Sequence, residues 1–173
     1  MNKVIENIIN RRSIRKYKTK EVDEEILDQI LQAGTYAPTG MNKQSPIIIA
    51  VTNKEMRDKL SLLNAKIMQK EDIDPFYGAP GVLIVLASRD IPTYLYDGSL
   101  VMQNLMLASS SFGLGSCWIH RAREMFETEE GKEILLSLGI TGDYEGIGNC
   151  IIGYPLEDGV VKPRKENYIY KIK

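Results

Sequence analysis

Residues 97–119 read Asp97-Gly98-Ser99-Leu100-Val101-Met102-Gln103-Asn104-Leu105-Met106-Leu107-Ala108-Ser109-Ser110-Ser111-Phe112-Gly113-Leu114-Gly115-Ser116-Cys117-Trp118-Ile119, and this stretch decides the fold. Leu100, Val101, Leu105, Met106, Ala108 and Phe112 spread over much of a helix circumference. A helix apolar over so wide an arc is central or lies at a subunit interface. Asp97-Gly98-Ser99 is read as its start. Gly113-Leu114-Gly115 ends it, since glycines let the chain turn sharply, and Ser116 to Ile119 is extended.

Outward from this unit, the pattern keeps alternating between helix and strand. Val4, Ile5, Ile8 and Ile9 share one face of a short helix ending near Asn10. Asp23 is placed to cap a second helix, with Val22 and Leu27 as a staple and Ile26, Leu27, Ile30 and Leu31 as its buried stripe. That helix must stop before Pro38. Ile47 to Val51 predicts a fully buried strand, being continuous, β-branched and bounded by turn residues. Asn53 caps a helix carrying Met56, Leu60, Leu63 and Ile67; a looser stretch from Glu71 to Pro80 leads to a second buried strand, Val82 to Ala87. One further helix is read through Met125, Phe126, Ile134, Leu135 and Leu138, and a last strand over Ile147 to Ile152. Beyond Pro155, the alternation of Tyr168, Ile169, Tyr170 and Ile172 predicts a strand or an arm laid on something apolar. The element list is mixed α+β, and 173 residues fit one domain, 1–173.

Charge excludes several functions. With 22 basic against 23 acidic residues, a net charge of -1 and a pI near 5.9, the chain lacks the cationic excess of a nucleic-acid binder. Its apolar runs are too short to span a bilayer, and no signal peptide fits Met1 to Arg11, so a cytoplasmic protein is expected. Cys117 and Cys150 lie in apolar stretches and read as buried, reduced thiols. One histidine, His120, without Cys/His clustering argues against a zinc site.

Four segments carry candidate chemistry. Arg11-Arg12-Ser13-Ile14-Arg15 concentrates three guanidinium groups, whose planar forks suit phosphate. Pro38-Thr39-Gly40-Met41-Asn42-Lys43-Gln44 is a turn-rich loop with hydroxyl and amide donors. The extended residues after Gly115 offer backbone amides to a planar heterocycle, beside the sole Trp and sole His. Lys162-Pro163-Arg164-Lys165 adds a second basic cluster. No Gly-x-Gly-x-x-Gly fingerprint follows a strand, and neither a P-loop nor a nucleophile elbow is present. Phosphate donors, amide donors and an apolar wall without a nucleophile fit a protein whose organic cofactor does the difficult chemistry.

These residues, in this order, resemble the FMN-dependent nitroreductases. The resemblance is carried by Arg11 to Tyr17, Ala37 to Pro46, Asp97-Gly98-Ser99 with Gln103-Asn104-Leu105, Gly113 to Ile119, Gly153-Tyr154-Pro155 and Lys162 to Lys165. It implies an α+β fold with a mixed sheet flanked by helices, an intertwined homodimer with FMN at the interface, and a C-terminal arm embracing the partner. By the same resemblance, Arg11, Ser13 and Arg15 hold the phosphate and ribityl chain, with Arg12 adjacent and Lys162 and Arg164 adding contacts. Pro38, Thr39, Gly40 and Asn42 reach the flavin of the partner subunit. Trp118, Ile119, His120 and Arg121 lie along the isoalloxazine, and Asn64 is a further ring contact. At His120 and Arg121 the chain departs from the family, where an acidic residue or glycine is common. The implied activity is a ping-pong transfer of electrons from NAD(P)H to nitroaromatic or quinone-like acceptors, with no catalytic side chain required. A flavin-storing or flavin-sensing protein, and a polyanion binder without flavin, stand as the other readings.

Overall fold

The run Gly81–Ser88 forms β2, and alternation along it builds the molecule: Val82, Ile84 and Leu86 enter one apolar layer, Leu83, Val85 and Ala87 the other. A strand apolar on both faces must be covered on both sides. The computed structural model describes residues 1–173. In chain order the elements are α1 (Lys3–Asn10), α2 (Glu24–Thr35), β1 (Ile47–Val51), α3 (Lys54–Ile67), β2, α4 (Tyr94–Ser111), β3 (Gly115–Ile119), α5 (Ala122–Glu127), α6 (Glu129–Ser137) and β4 (Tyr144–Gly153). Sheet order is β1-β2-β4-β3, and every named pair is antiparallel. The parallel component expected of a mixed sheet is confined to an isolated bridge between Ser13 and Ser116.

One layer joins Leu60 and Leu63 of α3, Met125 and Phe126 of α5, Ile134 of α6 and the loop residue Phe76 against the sheet. The opposite layer joins Leu27 and Ile30 of α2 with Val101, Met102 and Leu105 of α4. The α+β architecture read from the sequence is therefore the one observed. Asn53 caps α3 as expected, accepting a 2.9 Å hydrogen bond from Met56 N–H.

Several local expectations need correction. β1 is an edge strand with one neighbour: Ile49 and Val51 enter one apolar layer and Ile48 packs against the other, but Ala50 is exposed. α4 begins at Tyr94, so Asp97 lies inside the helix; it is buried and accepts from Thr93 Oγ1 (2.9 Å) and Gly40 N–H (3.0 Å). The helix read through Met125 to Leu138 is two, broken at an extended Thr128 whose hydroxyl accepts from Gly131 N–H at 3.0 Å. Asp23 precedes α2, but its carboxylate accepts from Tyr154 Oη (2.7 Å) instead of capping the helix. The C-terminal segment forms no strand; Tyr168, Ile169, Tyr170 and Ile172 are exposed.

β4 can lie between its neighbours only because of its glycines. A Cβ on Gly146 would stand 2.3 Å from the Ala122 backbone, where no side-chain movement can make room. Gly146→Ala should therefore destabilise the fold by about 3 kcal/mol, the upper range for overpacking, read as a lower urea midpoint with the slope unchanged.

Candidate functional site

Ile14 and Tyr17 are buried, and they turn the arginine segment into a fixed object. Ile14 N–H donates to Ser116 O at 3.1 Å, and Tyr17 Oη donates to Ile14 O at 2.6 Å. Lys18 N–H donates to Tyr154 O at 2.8 Å, locking the segment's far end to the exit of β4. Held this way, Arg11 to Arg15 run beside the start of β3, an outer strand of the sheet.

The five residues are not equivalent. Arg11 is half-buried, and its Nη1 is buried without a hydrogen-bond partner. Arg12 Nη1 donates to the Ile9 and Arg11 carbonyls, so its charge serves the C-terminus of α1, where helix carbonyls favour a cation. Ser13 forms the bridge to Ser116, whose own Oγ is buried and unpartnered. Arg15 is exposed, 5.9 Å from the Tyr77 ring centroid, with its N–H on Glu157 Oε1 at 3.0 Å.

A cavity of about 190 Å³ opens next to Arg15. Its walls come from Met68 at the end of α3, from Ile73, Pro75 and Tyr77 of the following loop, and from Cys117 to Ile119 of β3; His120 and Arg121 close it. Ser116 O accepts from Ile14 across the outer side of β3, so ladder alternation also turns the Trp118 N–H and C=O outward. The Trp118 indole packs the other way, against Gly148 and Met102. What this residue offers the opening is its backbone.

The turn after β3 is left-handed at Arg121, φ 74°, a conformation uncommon for a side chain of this size. Two buried amides hold it. Asn64 Nδ2 donates to His120 O at 2.8 Å, and Asn64 Oδ1 accepts from Arg121 Nε at 3.0 Å. Asn149 Nδ2, from the middle of β4, donates to Ile119 O and His120 O, both at 3.3 Å. Asn64 is fully buried, so here it positions the turn from behind.

Two larger cavities, about 510 and 530 Å³, border the Pro38–Gln44 loop. They take in Thr39 in one case and Pro38 and Asn42 in the other, and share no residue with the Arg15–Arg121 opening. Gly40 is tied by Asp97 to α4. Lys162 and Arg164 stand exposed on the C-terminal segment. A single chain thus gathers Arg15, Trp118, Ile119, His120 and Arg121 with Ser13 and Arg11 alongside, while the loop set and the basic tail lie elsewhere. We place the site at the smaller opening because charge and backbone donors converge there.

Sequence reasoning missed the loop wall and Asn149. Asp74-Pro75 is a turn-forming pair, and an amide inside the apolar run Ile147 to Ile152 was a usable signal. Asp74 organises the wall: it accepts from Ser61, from Arg57 Nη2 (2.6 Å), and from the N–H groups of Phe76 (2.8 Å) and Gly78 (2.7 Å). Burial alone would push its carboxyl up, but the bonds from Ser61, Arg57 and Gly78 together hold it below the ordinary 3.8. Burial pushes the Cys150 thiol up to about 12, and both cysteines are buried and unpaired. No group of three His, Cys, Asp or Glu is placed to hold a metal ion, and no helix is long and apolar enough to cross a membrane.

Residues 8–154 match the family model described as Nitroreductase family. A Methanothermobacter thermautotrophicus protein, provisionally named an NADH dehydrogenase/NAD(P)H nitroreductase, is 34% identical over 119 residues, which cover 66% of this chain and 59% of that protein. A Bacillus subtilis FMN reductase [NAD(P)H] is 26% identical, with 95% of this chain and 70% of the relative covered. Among solved structures, a Bacteroides fragilis nitroreductase with bound FMN superimposes with a TM-score of 0.87 at 29% identity, over 100% of both chains.

A depressed carboxyl stabilises the fold fully above 3.8 and progressively less as pH falls toward its folded value. Asp74→Asn should lower the urea midpoint at pH 7, and the gap to the unmodified chain should narrow between pH 4 and pH 2. A gap that stays constant over that range would remove Asp74 from the account of the wall.

Proposed function

Because this chain belongs to the nitroreductase family, we propose that it is an FMN-dependent oxidoreductase carrying electrons from NAD(P)H to quinone-like or nitroaromatic acceptors by a ping-pong sequence. The observation that carries the reading is a buried, partnerless Arg11 Nη1 in the segment that Ser13 and Ile14 tie to Ser116 of β3, the strand whose Trp118 backbone faces outward. A buried guanidinium nitrogen without an acceptor is costly, and a phosphate oxygen offsets that cost. The open strand edge offers donors and acceptors in a row, which suits the edge of a flat heterocycle. The residues present therefore fit FMN.

When bound, FMN supplies two-electron chemistry, so that NAD(P)H, a proton and a quinone yield NAD(P)+ and a quinol. The chain's own residues bind and orient. Arg11, Ser13 and Arg15 hold the phosphate end, with Lys162 and Arg164 adding positive charge. Ile119, His120 and Arg121 border the ring end, and Asn64 and Asn149 fix their backbone. The wall of Ile73, Pro75 and Tyr77 narrows the opening, so that donor and acceptor use the same face in turn. No side chain in the opening is required as nucleophile or metal ligand.

The second half of the site comes, on this reading, from another copy of the same domain. Pro38, Thr39, Gly40 and Asn42 lie away from the opening in their own chain, and α1 buries none of its residues, leaving Val4, Ile5, Ile8 and Ile9 exposed. Leu95, Tyr96 and Leu100 of α4 are exposed on the surface as well. Such apolar exposure suits a homodimer in which the C-terminal arm crosses to the partner. Two unpaired buried thiols fit a reducing, cytoplasmic setting.

The test is an anaerobic absorbance spectrum of the purified protein with FMN, before and after NADH or NADPH, followed by addition of a quinone. Bound flavin should bleach with a nicotinamide and recover with the quinone. Flavin that neither nicotinamide bleaches would leave a storage or sensing protein; no flavin uptake would leave a polyanion binder. Arg11→Ala should weaken FMN binding by about 10- to 100-fold, the range for one charged hydrogen bond, while light scattering still shows a folded dimer.

A further inference from the structure

Arg121 is a cation without a counter-ion at the mouth of the opening. It takes part in no ion pair, and its one side-chain hydrogen bond is from Nε to the neutral Asn64 amide. The ten residues around the opening include Arg15, His120 and Arg121 but no aspartate or glutamate. Glu127 is held by Arg123 and Arg89, and Glu157 by Lys16 and the Arg15 N–H; Glu124, one turn along α5, keeps a buried Oε2 without a partner and forms no ion pair with Arg121. Arg121 is only partly exposed, so water screens its charge incompletely.

The backbone sharpens the point. Glycine would occupy φ 74° without cost, whereas arginine there is held by two buried asparagines. A strained conformation that its surroundings over-determine suggests a use for the side chain. Fixing Nε on Asn64 orients the guanidinium plane while Nη1 and Nη2 have no protein acceptor, so a planar two-oxygen anion can take the free edge. Arg15 lines the same cavity from the end assigned to the cofactor phosphate, which leaves Arg121 as the cation for a second anion.

We propose that Arg121 is a specificity residue for the electron acceptor, selecting aromatic acceptors that carry a carboxylate. This rests on the flavin-enzyme reading above and names the acceptor class of that same site. The neutral Trp118 edge and the apolar Ile73 and Pro75 accommodate the ring, and the guanidinium takes the carboxylate beyond it.

The experiment uses the FMN-loaded protein and matched probes. Benzoate and benzamide, isosteric but differing in charge, are titrated while the visible spectrum of the bound flavin is followed. Benzoate should bind about tenfold more tightly, the lower range for a charged hydrogen bond. Arg121→Gly, which suits the left-handed turn and so keeps it folded, should bring the ratio of the two affinities near one; Arg121→Lys should restore part of it. In turnover, 4-nitrobenzoate should be preferred over 4-nitrobenzamide through KM more than kcat. Equal binding of the two probes by the unmodified protein overturns the assignment, as does a preference that survives Arg121→Gly. A change confined to the NADH/NADPH ratio also overturns it, placing the charge on the donor's phosphates. Failure of the function reading is seen separately and earlier, as a protein that takes up no FMN or whose flavin neither nicotinamide bleaches.

Discussion

The burial of β4 between β2 and β3 is the constraint on which the rest depends. Nine of its ten residues are buried; it pairs antiparallel with β2 over Tyr144 to Ile152 and with β3 over Asn149 to Gly153, and its side chains are shared between the two helical layers. Side chains larger than hydrogen are excluded at several points along it: Gly146 meets the α5 backbone, Gly148 the Trp118 indole, and Gly153 the Pro80 ring. These close approaches set the distance of α5 from the sheet and the height of β3 beside it. Because β3 is the outer strand, whatever fixes its register against β4 also fixes which backbone groups face outward.

Asn149 connects this core to the opening. Asn149 is a fully buried amide in an apolar strand: its Nδ2 donates to Ile119 O and His120 O at the end of β3, and its Oδ1 is buried without a partner. Asn64 approaches the same carbonyl of His120 from α3. The turn that ends β3 is therefore clamped from the sheet and from a helix. The two amides share His120 O, so losing Asn64 leaves that carbonyl with the longer bond from Asn149, and losing Asn149 removes a donor from both Ile119 O and His120 O.

The strongly periodic parts were legible in the sequence. α3, β2 and the alternation of helix and strand follow from apolar spacing, and Asn53 announces its helix by the usual hydrogen-bonding logic. The edge position of β1 was not legible, because Ile47 to Val51 looks the same whether one or two strands flank it. Thr128 looked like one more helix residue; in the structure it is extended, ends α5 and caps α6 through its hydroxyl, and the close approach of Gly131 to Met125 O leaves no room for a side chain at that corner. The arginine cluster could be seen but not sorted. Arg11 and Arg12 are adjacent in sequence, yet one guanidinium has a buried nitrogen without a partner and the other caps a helix.

α1 shows why one chain is not enough on the proposed reading. An eight-residue helix is too short to persist on propensity alone, and here no residue of it is buried. Its side-chain tie to the rest of the fold is Asn7 Nδ2 donating to Leu107 O at 2.9 Å, and its apolar stripe faces outward beside α4. Within its own chain the stripe meets no apolar surface that would bury it. The same helix ends in Arg11, so whatever covers α1 also steadies the guanidinium that awaits an anion. Cofactor retention and association between copies then become linked equilibria: each stabilises the geometry the other requires.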